Sequence, residues 1–543
     1  MFCYPVPLCV QILSLTYFWL FIGFCYICMV KRIVSLIIIM ACLLSSGCND
    51  CIIDKCFLED RIEGAMAAKI IGVQTGAPYE FWHLSSVNEK DSILVPIDYE
   101  GALGQDDIYT QLSFIGTLDR YGLDAAPQQL ARDFANAGFP LFHANLQARK
   151  NFMEGLRPPQ TGAAENNLHA DDIDFQIDAD FIGLMCPGMP RLAQDYCERI
   201  GTIMNDGDGL YGGMFVAAMH SLAFFENDVL CLVEQSLKNI PRGSDYYKCI
   251  ADVVGQYRRD PSNWRSAWNL LHDKWEPHIC TPNHPFNIDA KMNGAYVAIA
   301  LLFGSGDFSK TLEIAVRCGQ DADCNASTAA AVWGTMHGYS AIPDEYKAAL
   351  EELSSKKFDH TDYTWTEAAD KIAQFAGENI RKAGGSVSDG TCRIPRQKPG
   401  FSGQCRQPFC NLRYAESFYA ANSIWKYEGG WSPFTVYDTD SFCRCGTPGA
   451  SASLEFEGSM IAVTGAWGPT CGMADIYLDG EKVKTVDCYW PEDCGYFIIN
   501  REVLFHLMNL TPGRHTLKMV VSEESNPQSA GHDIIFTRAD IYR

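Results

Sequence analysis

The chain has 543 residues, with 43 Lys+Arg against 66 Asp+Glu and a net charge of −23. At roughly 150 residues per domain this length holds two or three packed cores, and 47% hydrophobic beside 20% charged residues excludes a largely disordered or collagen-like chain. The acidic excess argues against nucleic acid as a partner, because a polyanion needs Lys and Arg to neutralise it.

Residues 1–30 carry no charged side chain. Met29-Val30-Lys31-Arg32, the apolar run Ile33 to Leu44, and Leu44-Ser45-Ser46-Gly47-Cys48 supply a basic n-region, an h-region and a small-residue cleavage site ending in Cys. The pattern resembles a bacterial lipoprotein signal over 29–47, within a signal region 1–47, and by that resemblance Cys48 is lipidated. It predicts an exported lipoprotein, periplasmic or on the cell surface, anchored to the membrane through lipid, with Met29 as initiator and the stretch before it a start called too early. The alternative is a transmembrane helix over Pro5 to Val30, long enough at about 1.5 Å per residue to cross a ~30 Å bilayer.

Residues 58–383 read as an all-α domain. After Asp106-Asp107, apolar residues recur at Ile108, Leu112, Ile115 and Leu118 with a period near 3.6, and the run ends at Tyr121-Gly122. Further helical stretches are Arg191 to Ile203, Gly213 to Phe225, Ala295 to Phe303, Thr311 to Arg317 and Ala326 to His337. Residues 384–411, rich in Gly, Ser, Pro and basic side chains, read as a linker. Over 412–543 the period becomes two. Leu454 and Phe456 alternate with glutamates, Ala474, Ile476 and Leu478 lead into the turn Asp479-Gly480, and Leu517, Met519 and Val521 follow Pro512-Gly513. This predicts a β-sandwich of the jelly-roll or galactose-binding-like kind. Trp425, Trp431, Trp467, Tyr489 and Trp490 are candidates for a sugar-stacking platform on it, or for core packing. In an exported chain the cysteines can pair, with Cys392/Cys405/Cys410 and Cys443/Cys445/Cys471/Cys488/Cys494 as the expected groups. No pair of CxxC motifs is present, so zinc is not expected.

Two acidic pairs sit where helices begin, Gln105-Asp106-Asp107 and Gly319-Gln320-Asp321-Ala322-Asp323-Cys324. Alone they read as ordinary first-turn carboxylates favoured by the helix dipole. If the pairs meet, they offer hard oxygens to Mg²⁺, Mn²⁺ or Ca²⁺.

Asp60-Arg61-Ile62-Glu63-Gly64-Ala65, Ile71-Gly72 and Gly76-Ala77-Pro78-Tyr79-Glu80-Phe81, followed by these pairs, resemble the ADP-ribosylglycohydrolase family. Ile177-Asp178-Ala179-Asp180-Phe181-Ile182-Gly183, Pro187-Gly188, Asn205-Asp206-Gly207-Asp208-Gly209-Leu210-Tyr211 and Gly338-Tyr339-Ser340-Ala341-Ile342-Pro343 continue the match in order, over about 58–380. The resemblance implies a metal-dependent all-α hydrolase acting at the anomeric carbon of a ribosyl or other furanosyl unit. It assigns Asp106, Asp107, Asp321, Asp323 and Cys324 to one or two ions, of Mg²⁺ or of Mn²⁺ or Ca²⁺. It assigns Glu80, Asp107 and Asp321 to catalysis, and Asn166, Asn167, Asp178 and Tyr211 to substrate. The match departs at three places. The family's Thr residues flanking the acidic pairs are Gln105, Ile108 and Cys324; the Asp that often follows Gly72 is Val73; and the ribose-gripping Asn/Ser segment has only Thr161 to Asn167 near it. The export signal and the β-domain favour a glycan substrate over an ADP-ribosyl one, and the alternative is a glycan-binding lipoprotein with a degenerate site.

Overall fold

A computed structural model describes residues 50–543, apart from 94–95, 97, 277–287, 437–439 and 492–498. The signal 29–47 and the proposed lipid-bearing Cys48 lie outside the described residues. Among the described residues no helix is long and apolar enough to cross a membrane.

From Lys55 to Lys382 the chain is helical, and its centre is one pair of helices, Lys55–Gly76 and Ala322–His337. The second is buried nearly all round, as a helix of Ala, Val and Met with few charges must be when it fills a core. The two run unusually close because small residues face each other. A Cβ on Gly72 would fall on the Ala326 carbonyl, and one on Gly76 on the Asp323 backbone. Where side chains predict a helix from Ala326, the backbone begins at Ala322 with Asp321 at the N-cap, so both aspartates open the helix. The helix predicted from Gly213 begins at Asp208, because Gly207, at φ 55°, turns the chain immediately before it.

The stretch 384–411, expected as a linker, is laid down on the helical domain. Ser386–Val387 and Thr391–Pro395 form a three-stranded sheet with Asp50–Asp54. Gln397 accepts from the Arg191 and Leu192 amides (3.1 Å each), and Arg406 pairs with Asp206 at 3.1 Å. Tyr211 belongs to the same strap: its hydroxyl accepts from the Arg406 amide at 2.6 Å.

The C-terminal region is rich in antiparallel strands, arranged as two open sheets. One has five strands, with Gly513–Val521 at its centre and Met473–Leu478 pairing both it and Glu481–Asp487; the other is built around Ile534–Tyr542 and Met460–Trp467. The predicted turn Asp479-Gly480 joins the first hairpin with φ 54° and 91°, both left-handed, as a twist-matched two-residue turn requires. Two expectations fail here. Trp425, Trp467 and Trp490 are 4%, 1% and 2% exposed, so they belong to the interior and offer no stacking platform, while Trp431 and Tyr489 are half-buried. Cys392, Cys405, Cys410, Cys443, Cys445, Cys471 and Cys488 carry free thiols, and Cys494 lies outside the described residues. Several point into apolar core or at backbone carbonyls, as Cys443 does toward the Ala420 carbonyl at 3.5 Å.

The two domains share a small core in which Leu168 and Ala170 meet Val503, Met460 and Tyr542. Lys150 lies over the Trp467 ring at 4.8 Å. His506 Nε2 donates to the Ala164 carbonyl at 2.6 Å. Burial holds His506 down to about 4, beyond what the Ala164 bond restores, with Lys484 and His169 adding repulsion. A histidine depressed in the fold contributes stability above its free value near 6.5 and loses it as pH falls toward 4. At about 1.4 kcal/mol per pH unit, acidification over that window is expected to weaken the interface by up to about 3 kcal/mol. Unfolding midpoints of wild type and His506→Gln across pH 4–7 measure it: the wild-type curve falls and the variant's is flatter.

Candidate metal centre and active site

The close helix pair sets the first elements of the site. Beyond Gly76 the chain makes a single turn, Ala77–Tyr79, and delivers Glu80. The next residue, Phe81, is left-handed at φ 56°, and so is Gln320, at φ 52°, just before Asp321. Their backbones lock together: Phe81 N donates to the Gln320 carbonyl (2.9 Å), and Gln320 N donates to the His83 carbonyl (2.8 Å). Non-glycine residues hold this conformation only where the surroundings over-determine it. Here two such residues fix Glu80 beside Asp321.

The acidic pairs do meet. Donor atoms of Glu80, Asp321 and Asp323 lie within 4.8 Å of one another, and so do those of Asp107, Asp323 and Cys324, with Asp323 common to both groups. The Cys324 thiol donates to Asp107 Oδ2 at 3.1 Å. Asp106 is in neither group, and its Oδ1 accepts the Asp107 amide at 3.2 Å. Asp178 borders the cluster: Asn145 donates to its Oδ2 at 3.5 Å.

The site's charge is only half compensated. Lys69, buried in the Lys55–Gly76 helix, pairs with Asp180, donates to the Ile177 carbonyl at 3.1 Å and lies 3.8 Å from Asp107 Oδ1. Burial alone would lower the Lys69 pKa, but Asp180 and Asp107 outweigh it and the value is raised. Asp180 also receives His220 Nε2 at 2.9 Å, whose Nδ1 meets Thr335 at 2.7 Å. By contrast Oδ1 of Asp178, Asp321 and Asp323 is buried with no hydrogen-bond partner. The carboxyls record the crowding. Glu80 is pushed up to about 7 by burial and by Asp321 and Asp107, with His143 opposing. Asp106 rises to about 8 by burial and then Asp107 and Asp321. Asp107 rises to about 6 by burial, Lys69 pulling it back, and burial with Asp321 lifts Asp323 well above its usual range.

Buried carboxylate oxygens without donors, gathered within a few ångströms, suit a hard dication. The residues present therefore fit a metal of the kind the resemblance implies, with Glu80, Asp107, Asp321 and Asp323 as oxygen donors.

Residues 56–382 match the family model described as ADP-ribosylglycohydrolase. The chain belongs to the ADP-ribosylglycohydrolase family. A 96-residue stretch is 29% identical to a protein of Flavonifractor plautii named A type blood alpha-D-galactosamine galactosaminidase, covering 17% of this chain and 8% of that protein. Among solved structures, an ADP-ribosylglycohydrolase-related protein complex aligns over 59% of this chain and 98% of its own, with 15% identity and a TM-score of 0.38. A two-domain esterase active on acetylated mannans, co-crystallized with mannopentaose, aligns over 36% of this chain and 51% of its own, with 13% identity and a TM-score of 0.21.

Within this ADP-ribosylglycohydrolase domain, three residues expected to touch substrate are engaged elsewhere. Asn167 is buried and spends its amide on the Ala144 and Met204 carbonyls (3.0 and 2.9 Å), bracing a loop. Asn166 Nδ2 donates to the Gln160 carbonyl at 3.0 Å, and Tyr211 holds the strap. Sequence reading passed over Lys69, although a lone cation within Met66-Ala67-Ala68-Lys69-Ile70-Ile71 was its signal: an ammonium in so apolar a helix needs a buried acid. It also passed over His143, whose charge opposes the rise of Glu80 and which carries no motif of its own. Lys69→Met leaves Asp180 and Asp107 buried without their cation and is expected to destabilise the helical domain by about 3–5 kcal/mol. Adding Asp180→Asn is expected to recover part of that loss; urea unfolding of both variants measures it.

Proposed function

We propose that this protein hydrolyses a glycosidic bond at the anomeric carbon of a glycan, its acidic centre holding one or two Mg²⁺ ions or Mn²⁺ or Ca²⁺ in their place. The observation that carries the reading is the convergence of Glu80, Asp107, Asp321 and Asp323, with buried Asp321 and Asp323 oxygens that no donor satisfies. A bound dication polarises substrate oxygens and activates water. The chain's own part is to place groups. The Phe81–Gln320 lock aims Glu80 into the same space as Asp321 and Asp323, where it can accept a proton from an attacking water. The Lys69–Asp180–His220 chain holds Asp107 from behind, and the Cys324 thiol fixes one Asp107 oxygen so that the other stays available.

Membership of the family supports the bond type, and the stretch shared with the galactosaminidase supports a glycan in preference to an ADP-ribosyl group. Aryl glycosides, both hexosaminides and furanosides, and an ADP-ribosylated protein are the substrates to compare, each with Mg²⁺ and with EDTA. Glycoside turnover that EDTA abolishes is the expected result. Asp321→Asn and Asp323→Asn are each expected to lower kcat about 10²-fold or more, because a metal contributes several kcal/mol and 1.36 kcal/mol is tenfold. EDTA-insensitive turnover, or undiminished turnover in both variants, would refute the reading; cleavage of the ADP-ribosyl substrate alone would redirect it.

Anchoring through lipid on Cys48 belongs to the same proposal, resting on the signal-like sequence before it. Expressed with its full leader, wild type is expected in the membrane fraction and Cys48→Ala in the soluble fraction; equal partition of the two refutes the anchor.

A further inference from the structure

A second cluster of metal-ligating side chains lies outside the acidic centre, where the two domains meet. Ligand atoms of His143, His169 and Asp172 lie within 4.8 Å of one another. Nδ1 of His169 is 2.7 Å and Nδ1 of His143 3.3 Å from the same oxygen, Asp172 Oδ2, and the two rings stand edge to face with centroids 5.2 Å apart.

The arrangement is built by the fold. His143 opens the His143–Met153 helix in a left-handed conformation, φ 46°, which a non-glycine residue adopts only when held there. His169 and Asp172 ride on a loop clamped by Asn205, whose Nδ2 donates to the Ala170 and Asp172 carbonyls at 3.0 and 2.9 Å. Asp172 is fully buried and its Oδ1 has no hydrogen-bond partner.

The C-terminal domain packs against this loop. Val503 packs into the shared core with Leu168 and Ala170, the neighbours of His169 on either side, and Glu502 precedes it in the Ile499–Leu507 strand. Burial raises the Glu502 carboxyl and both imidazoles pull against it, as a carboxylate beside them must experience.

We propose that His143, His169 and Asp172 bind a borderline dication of the Zn²⁺ class, beside the C-terminal domain. Two imidazole nitrogens with carboxylate oxygens suit Zn²⁺ and its neighbours, whereas Mg²⁺ and Ca²⁺ take oxygen alone. The site needs no cysteine, so the absence of paired CxxC motifs does not bear on it. The inference is independent of the proposed activity.

The test uses full-length protein stripped with chelator and dialysed against Zn²⁺, with bound metal counted by mass spectrometry. At least one Zn²⁺ is expected to bind, and one is expected to persist in the doubly substituted Asp321→Asn/Asp323→Asn chain. His143→Gln and His169→Gln are each expected to weaken it by at least the about 10–100-fold that loss of an outer-shell partner causes, and Glu502→Gln by less. Zn²⁺ affinity unchanged in both histidine variants, or loss of the ion in the Asp321/Asp323 chain, overturns the proposal. Should the histidine variants fail to fold, Co²⁺ in the Asp321/Asp323 chain decides. Visible bands of a nitrogen and oxygen site support the proposal, and a sulfur-to-cobalt charge-transfer band in their place overturns it.

Discussion

The contact between the Lys55–Gly76 and Ala322–His337 helices is the constraint on which the rest depends. Glycine and alanine at the crossing let the backbones touch, and backbone contact in turn fixes where each helix can end or begin. One ends at Gly76 and must release Glu80; the other begins at Ala322 and must present Asp321 and Asp323. A side chain at Gly72 or Gly76 would separate these ends, and the carboxylates would part with them. Packing at the centre of the domain therefore decides the chemistry at its edge.

The same packing places several acids in a dry space, and the structure compensates only one side of it. Asp180 has an ammonium and an imidazole, with Thr335 beyond, and forms a closed network of the kind that rigidifies a core. Asp321 and Asp323 have no such partners. Burying a charge without a counter-charge is unfavourable by several kcal/mol, so this side is stable only with protons or a cation present. The raised Glu80 and Asp323 carboxyls describe the first state and the donor geometry invites the second. Lys69 does not fill that place, since it reaches Asp107 only at 3.8 Å while bound to Asp180.

What the sequence shows of this is the part carried by local patterns. The change of period from 3.6 to 2 separates helices from strands, Asp479-Gly480 turns as its residue types require, and the two acidic pairs are visible because family motifs surround them. What it hides depends on partners far along the chain. Residues 384–411 have the composition of a free linker, but Gln397 finds the Arg191 amide and Arg406 finds Asp206, and neither pairing leaves a trace within the segment. Trp467 and Trp490 read equally well as platform or core until the fold buries both, their ring centroids 5.6 Å apart. Asn166 and Asn167 have the right side chains for sugar, yet a loop with many carbonyls to satisfy consumes them. His143 and His169 are 26 positions apart, and no helical or strand period relates them.

Cys324 is where the chain departs from its family's pattern and where the fold shows what the departure means. A threonine hydroxyl and a cysteine thiol can each donate one hydrogen bond, and the thiol here donates to Asp107 Oδ2. Burial, then the charges of Asp107, Asp321 and Asp323, push the thiol well above its usual range, so it stays protonated and keeps that donor role. A hard ion has little affinity for sulfur and would leave the bond in place. A thiophilic ion would displace the proton, since a coordinating thiol is deprotonated outright, and would turn a neutral donor into an anionic ligand. The substitution thus leaves the oxygen-binding geometry intact while making this centre more sensitive than an all-oxygen one to which metal it meets.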